Sequence, residues 1–122
     1  MSWTYNSSNG SLSRHGELVG QGYSGYPPHV NDVSAESIPD VGPIPRGAWI
    51  INAPFFANDT GPYSLPLTPA EGTETFGRSG FRIHGDEISE AGKELASHGC
   101  IVMPLSVRET VWQSGDKDLE VV

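Results

Sequence analysis

Cysteine is almost missing: the 122-residue chain has one, Cys100, so no disulfide can form within it and paired thiols give no clue to its compartment. Basic side chains are scarce as well. Seven Lys and Arg stand against fifteen Asp and Glu, a formal net charge of −8. That balance argues against a nucleic-acid groove and against an anionic membrane surface, since both need clustered cations. Long apolar runs are absent, and no stretch approaches the roughly 20 residues that cross a bilayer. The first residues, Met1-Ser2-Trp3-Thr4-Tyr5-Asn6-Ser7, lack the basic start and apolar run of a cleaved signal peptide. Repeats and low-complexity segments are also absent. Hydrophobic residues make up 36% of the chain, which at this length supports one core, so residues 1–122 are expected to form a single domain.

What the chain has instead is punctuation. Fifteen Gly and ten Pro point to many turns and short strands rather than long helices. Trp3, Thr4 and Tyr5 alternate as in a strand, Asn9-Gly10 favours a hairpin, and residues 11–14 would return beside the first strand. Residues 17–26 alternate with interruptions at Gly20, Gly22 and Gly25, which suggests a strand with a bulge or close backbone approaches. Residues 26–40 read as loop, with His29 on the surface. Pro43-Ile44-Pro45-Arg46-Gly47 forms an extended approach to a buried strand over 48–51. Further strands are expected over 63–67 and 119–122, and Phe55-Phe56 is expected to pack into the core. Short helical turns are expected between residues 87 and 96. Residues 105–112 read as one amphipathic helix, with Ser106 as cap, Val107 and Val111 inward and Gly115 beyond its end. The expected fold is mostly β: a small sandwich or barrel-like arrangement with one short C-terminal helix.

Residues 81–104 carry the chemistry. Phe81-Arg82-Ile83 reads as a short strand that delivers His84 at its end. Ser97-His98-Gly99-Cys100 precedes a second apolar run, Ile101-Val102-Met103, which Pro104 limits. If the two strand ends meet, an imidazole and a thiol come together. A thiol is mostly protonated at neutral pH, and a neighbouring imidazole can take its proton and stabilise the thiolate. Gly99 permits close backbone approach, and its N–H with that of Cys100 would line an oxyanion site. Zinc is a rival reading, because His84, Asp86, His98 and Cys100 are suitable ligands in kind; Gly85 and Gly99, however, suggest tight turns rather than extended pairs. Arg46 and Arg82 are candidates for an anionic substrate end, with a solvated loop side chain and a salt bridge as their respective alternatives.

At His84 and Ser97-His98-Gly99-Cys100-Ile101 the chain resembles the L,D-transpeptidase catalytic domains of bacterial cell-wall enzymes, most closely the short type VI secretion effectors that carry this domain. The loop Gly42-Pro43-Ile44-Pro45-Arg46-Gly47 is similar to the segment before that family's central sheet. One departure stands out: the family often has Arg or Asn two residues after the cysteine, and here Val102 stands there. The resemblance implies a cysteine enzyme acting on peptidoglycan stem peptides by transpeptidation, L,D-carboxypeptidase cleavage or D-amino-acid exchange. Cys100 would be the nucleophile and His84 the base, held by the carbonyl of Gly85. Ser97 and His98 would shape the site, and no metal or organic cofactor would be needed. An effector of this kind implies secretion without a cleaved signal, action in a target cell's periplasm, a partner in the secretion machinery and an immunity protein. The alternatives are a housekeeping transpeptidase separated from its export signal, and a non-catalytic wall-binding module.

Overall fold

The computed structural model describes residues 2–86 and 97–122. The helical turns expected between 87 and 96 lie outside the described residues. The chain is mostly β, with ten strands and one α-helix among the described residues. The alternating pattern read in the sequence appears as alternating burial. In β1 (Trp3–Asn6) Trp3 and Tyr5 face inward, in β5 (Gly47–Ile51) Trp49 and Ile51 do so, and in β10 (Asp118–Val121) Leu119 and Val121 do so.

β1 and β2 (Ser11–Arg14) form the expected hairpin, with Gly10 at a φ of 78° and its N–H bonded to the Asn6 carbonyl. β2 pairs with β3 (Glu17–Gln21) across a register shift between Leu12 and Ser13, where a bulge was expected. β1 also pairs, in parallel, with β10, which runs antiparallel to β5. From β5 the sheet continues through β7 (Gly61–Pro69), β8 (Arg82–His84) and β9 (Ile101–Val102) to β4 (Tyr23–Ser24). β6 (Phe55–Ala57) hangs off β7.

The strands therefore form one sheet that is not closed, rather than a sandwich of two separate sheets. Its two ends are β3 and β4, which are consecutive in the chain and separated only by Gly22. The sheet curls until its ends meet at that residue, so the barrel-like expectation holds for its shape, though no hydrogen-bonded ladder joins the ends. A Cβ on Gly22 would lie 1.8 Å from the Val102 carbonyl oxygen, so only glycine lets the chain turn this corner.

Inside the curl lie Trp3, Tyr5, Leu12, Trp49, Leu65, Ile83, Ile101 and Leu119, each with at most 2% of its surface exposed. Trp49 meets Phe81 edge to face with ring centroids 5.1 Å apart, and its indole N–H reaches the Pro45 carbonyl at 3.0 Å. Helix α1 (Leu105–Gln113) adds Val107 and Val111 to this core. Its N-cap is Pro104, with no side-chain cap bond; the expected cap, Ser106, lies inside the first turn. Phe55 and Phe56 depart from expectation too. They sit on short β6 at the edge of β7 and are 40% and 72% exposed. No helix among the described residues is long and apolar enough to cross a membrane.

Trp49 is buried in this core against Phe81, so Trp49→Ala is expected to destabilise the fold by about 3–5 kcal/mol, through lost transfer free energy and the cavity left behind. Leu18→Ala, at a 67%-exposed position, is the control and should shift stability by less than about 0.5 kcal/mol. Urea denaturation of both variants checks the contrast.

Candidate active site

β8 runs parallel to β9, with Ile83 opposite Ile101 and His84 opposite Val102. His84 therefore ends its strand buried, at 3% exposure, and its backbone carbonyl accepts from the Met103 N–H at 2.9 Å. Its Nδ1 lies 2.8 Å from the Gly85 carbonyl oxygen. A carbonyl only accepts, so Nδ1 carries the hydrogen and Nε2 presents its lone pair when the ring is neutral. Cys100 stands just before β9, level with Arg82, whose N–H donates to Sγ at 3.3 Å. Sγ in turn lies 3.6 Å from the Gly80 carbonyl oxygen. His84 and Cys100 open into one cavity of about 440 Å³, lined also by Asp40, Asp59, Arg78 and His98.

The turn that carries Cys100 is pinned by two buried hydroxyls. Ser97 is fully buried; its Oγ donates to the Cys100 carbonyl and accepts from the N–H groups of Gly25 at 3.0 Å and Gly99 at 3.1 Å. Ser24, equally buried, donates to the Gly99 carbonyl at 3.0 Å and accepts from the Ile44 N–H at 2.8 Å. Gly99 has a φ of 135°, and a Cβ there would lie 2.5 Å from an Arg78 nitrogen. This corrects one expectation. The Gly99 N–H is turned onto Ser97 Oγ rather than toward the cavity, which leaves the Cys100 N–H as the other member of the expected oxyanion pair.

The remaining sequence candidates separate. His98 lines the cavity; its ring stacks on Tyr26 at a 4.7 Å centroid distance, and its Nδ1 donates to the Asp40 carbonyl at 2.9 Å. Arg82 takes the salt-bridge alternative: Nη1 meets Asp59 at 2.8 Å and the guanidinium lies over Phe55. Arg46 does not line the cavity. It is bound to Glu36 through its backbone N–H and three side-chain contacts, so the loop-arginine alternative describes it better than substrate binding. The zinc ligands proposed from sequence do not gather either. Asp86 accepts from the Tyr23 hydroxyl at 2.7 Å, and no group of three or more His, Cys, Asp or Glu able to hold a metal occurs among the described residues.

Two arginines and Ser24 were not singled out as site residues by sequence reasoning. Arg78 donates to the carbonyls of Glu36, Gly42, Pro43 and His98, tying the 36–43 loop to the Cys100 turn. Arg108, on α1, is 94% buried by its 6% exposure and donates to the carbonyls of Met103, Pro62 and Tyr63. The signal for Arg108 was a charged residue next to the apolar position Val107 on the helix's inward face.

Burial pushes the Cys100 thiol above the ordinary thiol range, against the opposing influence of the Arg82 N–H and the Arg82 charge. Burial also pushes the His84 imidazole below its ordinary value; the Gly85 carbonyl opposes this, and the positive charges of Arg108 and Arg82 add to it. The two groups are therefore both neutral at rest. For Cys100, desolvation outweighs the lowering influence of Arg82 and Arg78.

The family model described as the Tlde1 domain matches residues 19–118. No curated protein matches the chain.

Because the thiol's pKa is raised, the thiolate fraction at any given neutral pH is smaller than that of free cysteine. Iodoacetamide should then modify Cys100 more slowly than free cysteine at neutral pH, with the pH–rate midpoint displaced upward. A midpoint below that of free cysteine would contradict the neutral pair. Ser97→Ala should leave two N–H groups and one carbonyl without their partner and destabilise the domain by about 1–3 kcal/mol. Chemical denaturation against the exposed Ser79→Ala variant measures the difference.

Proposed function

The chain belongs to the Tlde1 domain family, whose model covers most of it, and from that premise we propose that it is a cysteine-dependent enzyme acting on peptidoglycan stem peptides as a type VI secretion effector. The observation that carries the reading is the shared cavity of His84 and Cys100 at the ends of two adjacent parallel strands. The tautomer supports it: Nδ1 is tied to Gly85, so the lone pair on Nε2 is left for proton transfer.

In the proposed reaction His84 Nε2 takes the Sγ proton as the sulfur attacks the carbonyl carbon of the stem's third residue. The Cys100 N–H stabilises the resulting oxyanion. The imidazolium then returns the proton to the leaving nitrogen, the bond to the terminal D-alanine breaks and an acyl-enzyme thioester remains. An incoming amine releases it as a cross-link or an exchanged stem, and water releases it as a shortened stem. Neutral resting groups fit this sequence, because charge separation is then deferred until a substrate excludes water. Ser97, His98 and Gly85 act by holding the reacting groups, and the chemistry requires no cofactor. The site of action is the periplasm of a target cell, with an immunity protein as the protective partner.

Incubation with purified tetrapeptide muropeptides, followed by mass spectrometry, tests the reading. Cys100→Ala and His84→Ala are each expected to reduce turnover by at least about 10²–10⁴-fold, and the double variant should be little worse because both residues serve one step. Normal turnover by Cys100→Ala would rule the mechanism out. Cytoplasmic expression should be harmless, whereas periplasmic targeting should damage the wall and depend on Cys100. Unaltered growth and unaltered muropeptides with active protein in the periplasm would exclude the toxin role.

A further inference from the structure

We propose that Arg108 is a positioning residue for His84: from α1 its guanidinium braces the Gly85 turn whose carbonyl fixes the imidazole, which leaves Nε2 as the proton acceptor. The inference rests on the reading of His84 as the base, and it assigns a function to a buried charge that the fold alone does not explain.

Burying an arginine is costly unless its donors are used and its charge does something in return. Arg108 is bonded by geometry that converges on the site. Nε donates to the Met103 carbonyl at 3.0 Å, and the Met103 N–H binds the His84 carbonyl at 2.9 Å, so the strand end that carries His84 is held through one residue. Nη1 donates to the carbonyls of Pro62 at 2.8 Å and Tyr63 at 3.0 Å, at the start of β7. Nη2 lies against Gly85, 2.8 Å from where a Cβ would stand. Gly85 is the residue whose carbonyl fixes the His84 ring. The guanidinium thus contacts the next residue along from His84 and locks both strands that flank it.

A fixed positive charge at this place has an electrostatic consequence. It disfavours a second positive charge on the imidazole, in the same direction as burial. Among the described residues, the other charged groups acting on His84 are Arg82 from β8, in the same direction as Arg108, and Asp59 from the β6–β7 turn, in opposition. Because Arg82 is paired with Asp59, their effects partly offset one another, whereas among the described residues Arg108 is bonded to main-chain carbonyls. The acidic influence on it among the described residues is that of Glu109, beside it on α1. Among the described residues Arg108 is therefore the foremost fixed charge acting on His84.

The test follows the His84 imidazole by NMR in the free protein, without substrate, in wild type, Arg108→Met, Arg108→Lys and Gly85→Ala. Nitrogen shifts in wild type should report the tautomer with hydrogen on Nδ1. Arg108→Met should raise the His84 titration midpoint by on the order of one pH unit and mix the tautomers, while Arg108→Lys, which keeps the charge, should leave the midpoint near wild type. Gly85→Ala removes no charge; its methyl displaces the guanidinium and should move the midpoint in the same direction, which keeps the proposal testable should Arg108→Met fail to fold. The acidic limb of the kcat/KM profile should move with the midpoint, whereas a merely structural loss would lower activity equally at all pH values. An unmoved midpoint and unchanged tautomer in folded Arg108→Met, or in Gly85→Ala, overturns the proposal. Since the imidazole is read without turnover, an inactive wild-type enzyme would count against the peptidoglycan reading and not against this one.

Discussion

The parallel register of β8 on β9 is the constraint on which the site depends. Side chains alternate along a strand, so pairing Ile83 with Ile101 sends both isoleucines into the core and turns Arg82, His84, Cys100 and Val102 the other way. A slip of one residue would turn His84 and Cys100 into the core and send the isoleucines to the opposite face. Two strands hold few ladder bonds, and β8 and β9 are short, so the register needs support from outside the pair. Ser97, Ser24 and Arg78 fix the approach to β9, and Arg108 fixes both exits. The polar atoms that look superfluous in a domain of this size are concentrated at these two strand ends.

What was legible in the sequence was whatever depends on neighbours along the chain. The first hairpin, the burial of Trp49 and Ile51, and the C-terminal helix all follow from period and turn residues within a few positions. The strand forecast over 63–67 lies within the longer β7 for the same reason. That His84 and Cys100 come to one cavity was legible because their motif is local in two pieces, each next to an apolar run. The curl of the sheet was not legible, because it depends on Gly22 meeting the Val102 carbonyl across eighty positions of chain. Phe55 and Phe56 misled because apolar character was taken for burial, whereas the edge of β7 leaves them outside with Arg82 as cover.

The arginines explain why charge was harder to read than shape. Arg46 binds Glu36, Arg82 binds Asp59, and Arg78 and Arg108 bind main-chain carbonyls. A sequence shows a cation near a catalytic motif and suggests substrate binding, yet here each of the four is committed to the protein itself. Their common role is to satisfy carbonyls and carboxylates in loops that lack regular ladders, which a Gly- and Pro-rich chain has in abundance.

The raised thiol carries a consequence for survival in oxidising surroundings. Peroxide attacks the thiolate, and the resulting sulfenic acid is normally rescued by a second cysteine that closes a disulfide. This chain has no second cysteine, so an oxidised Cys100 could not be resolved within the molecule and would drift toward irreversible acids. Burial that pushes the thiol upward reduces the thiolate fraction open to that first step. The same burial that raises the thiol therefore also shields it from oxidation.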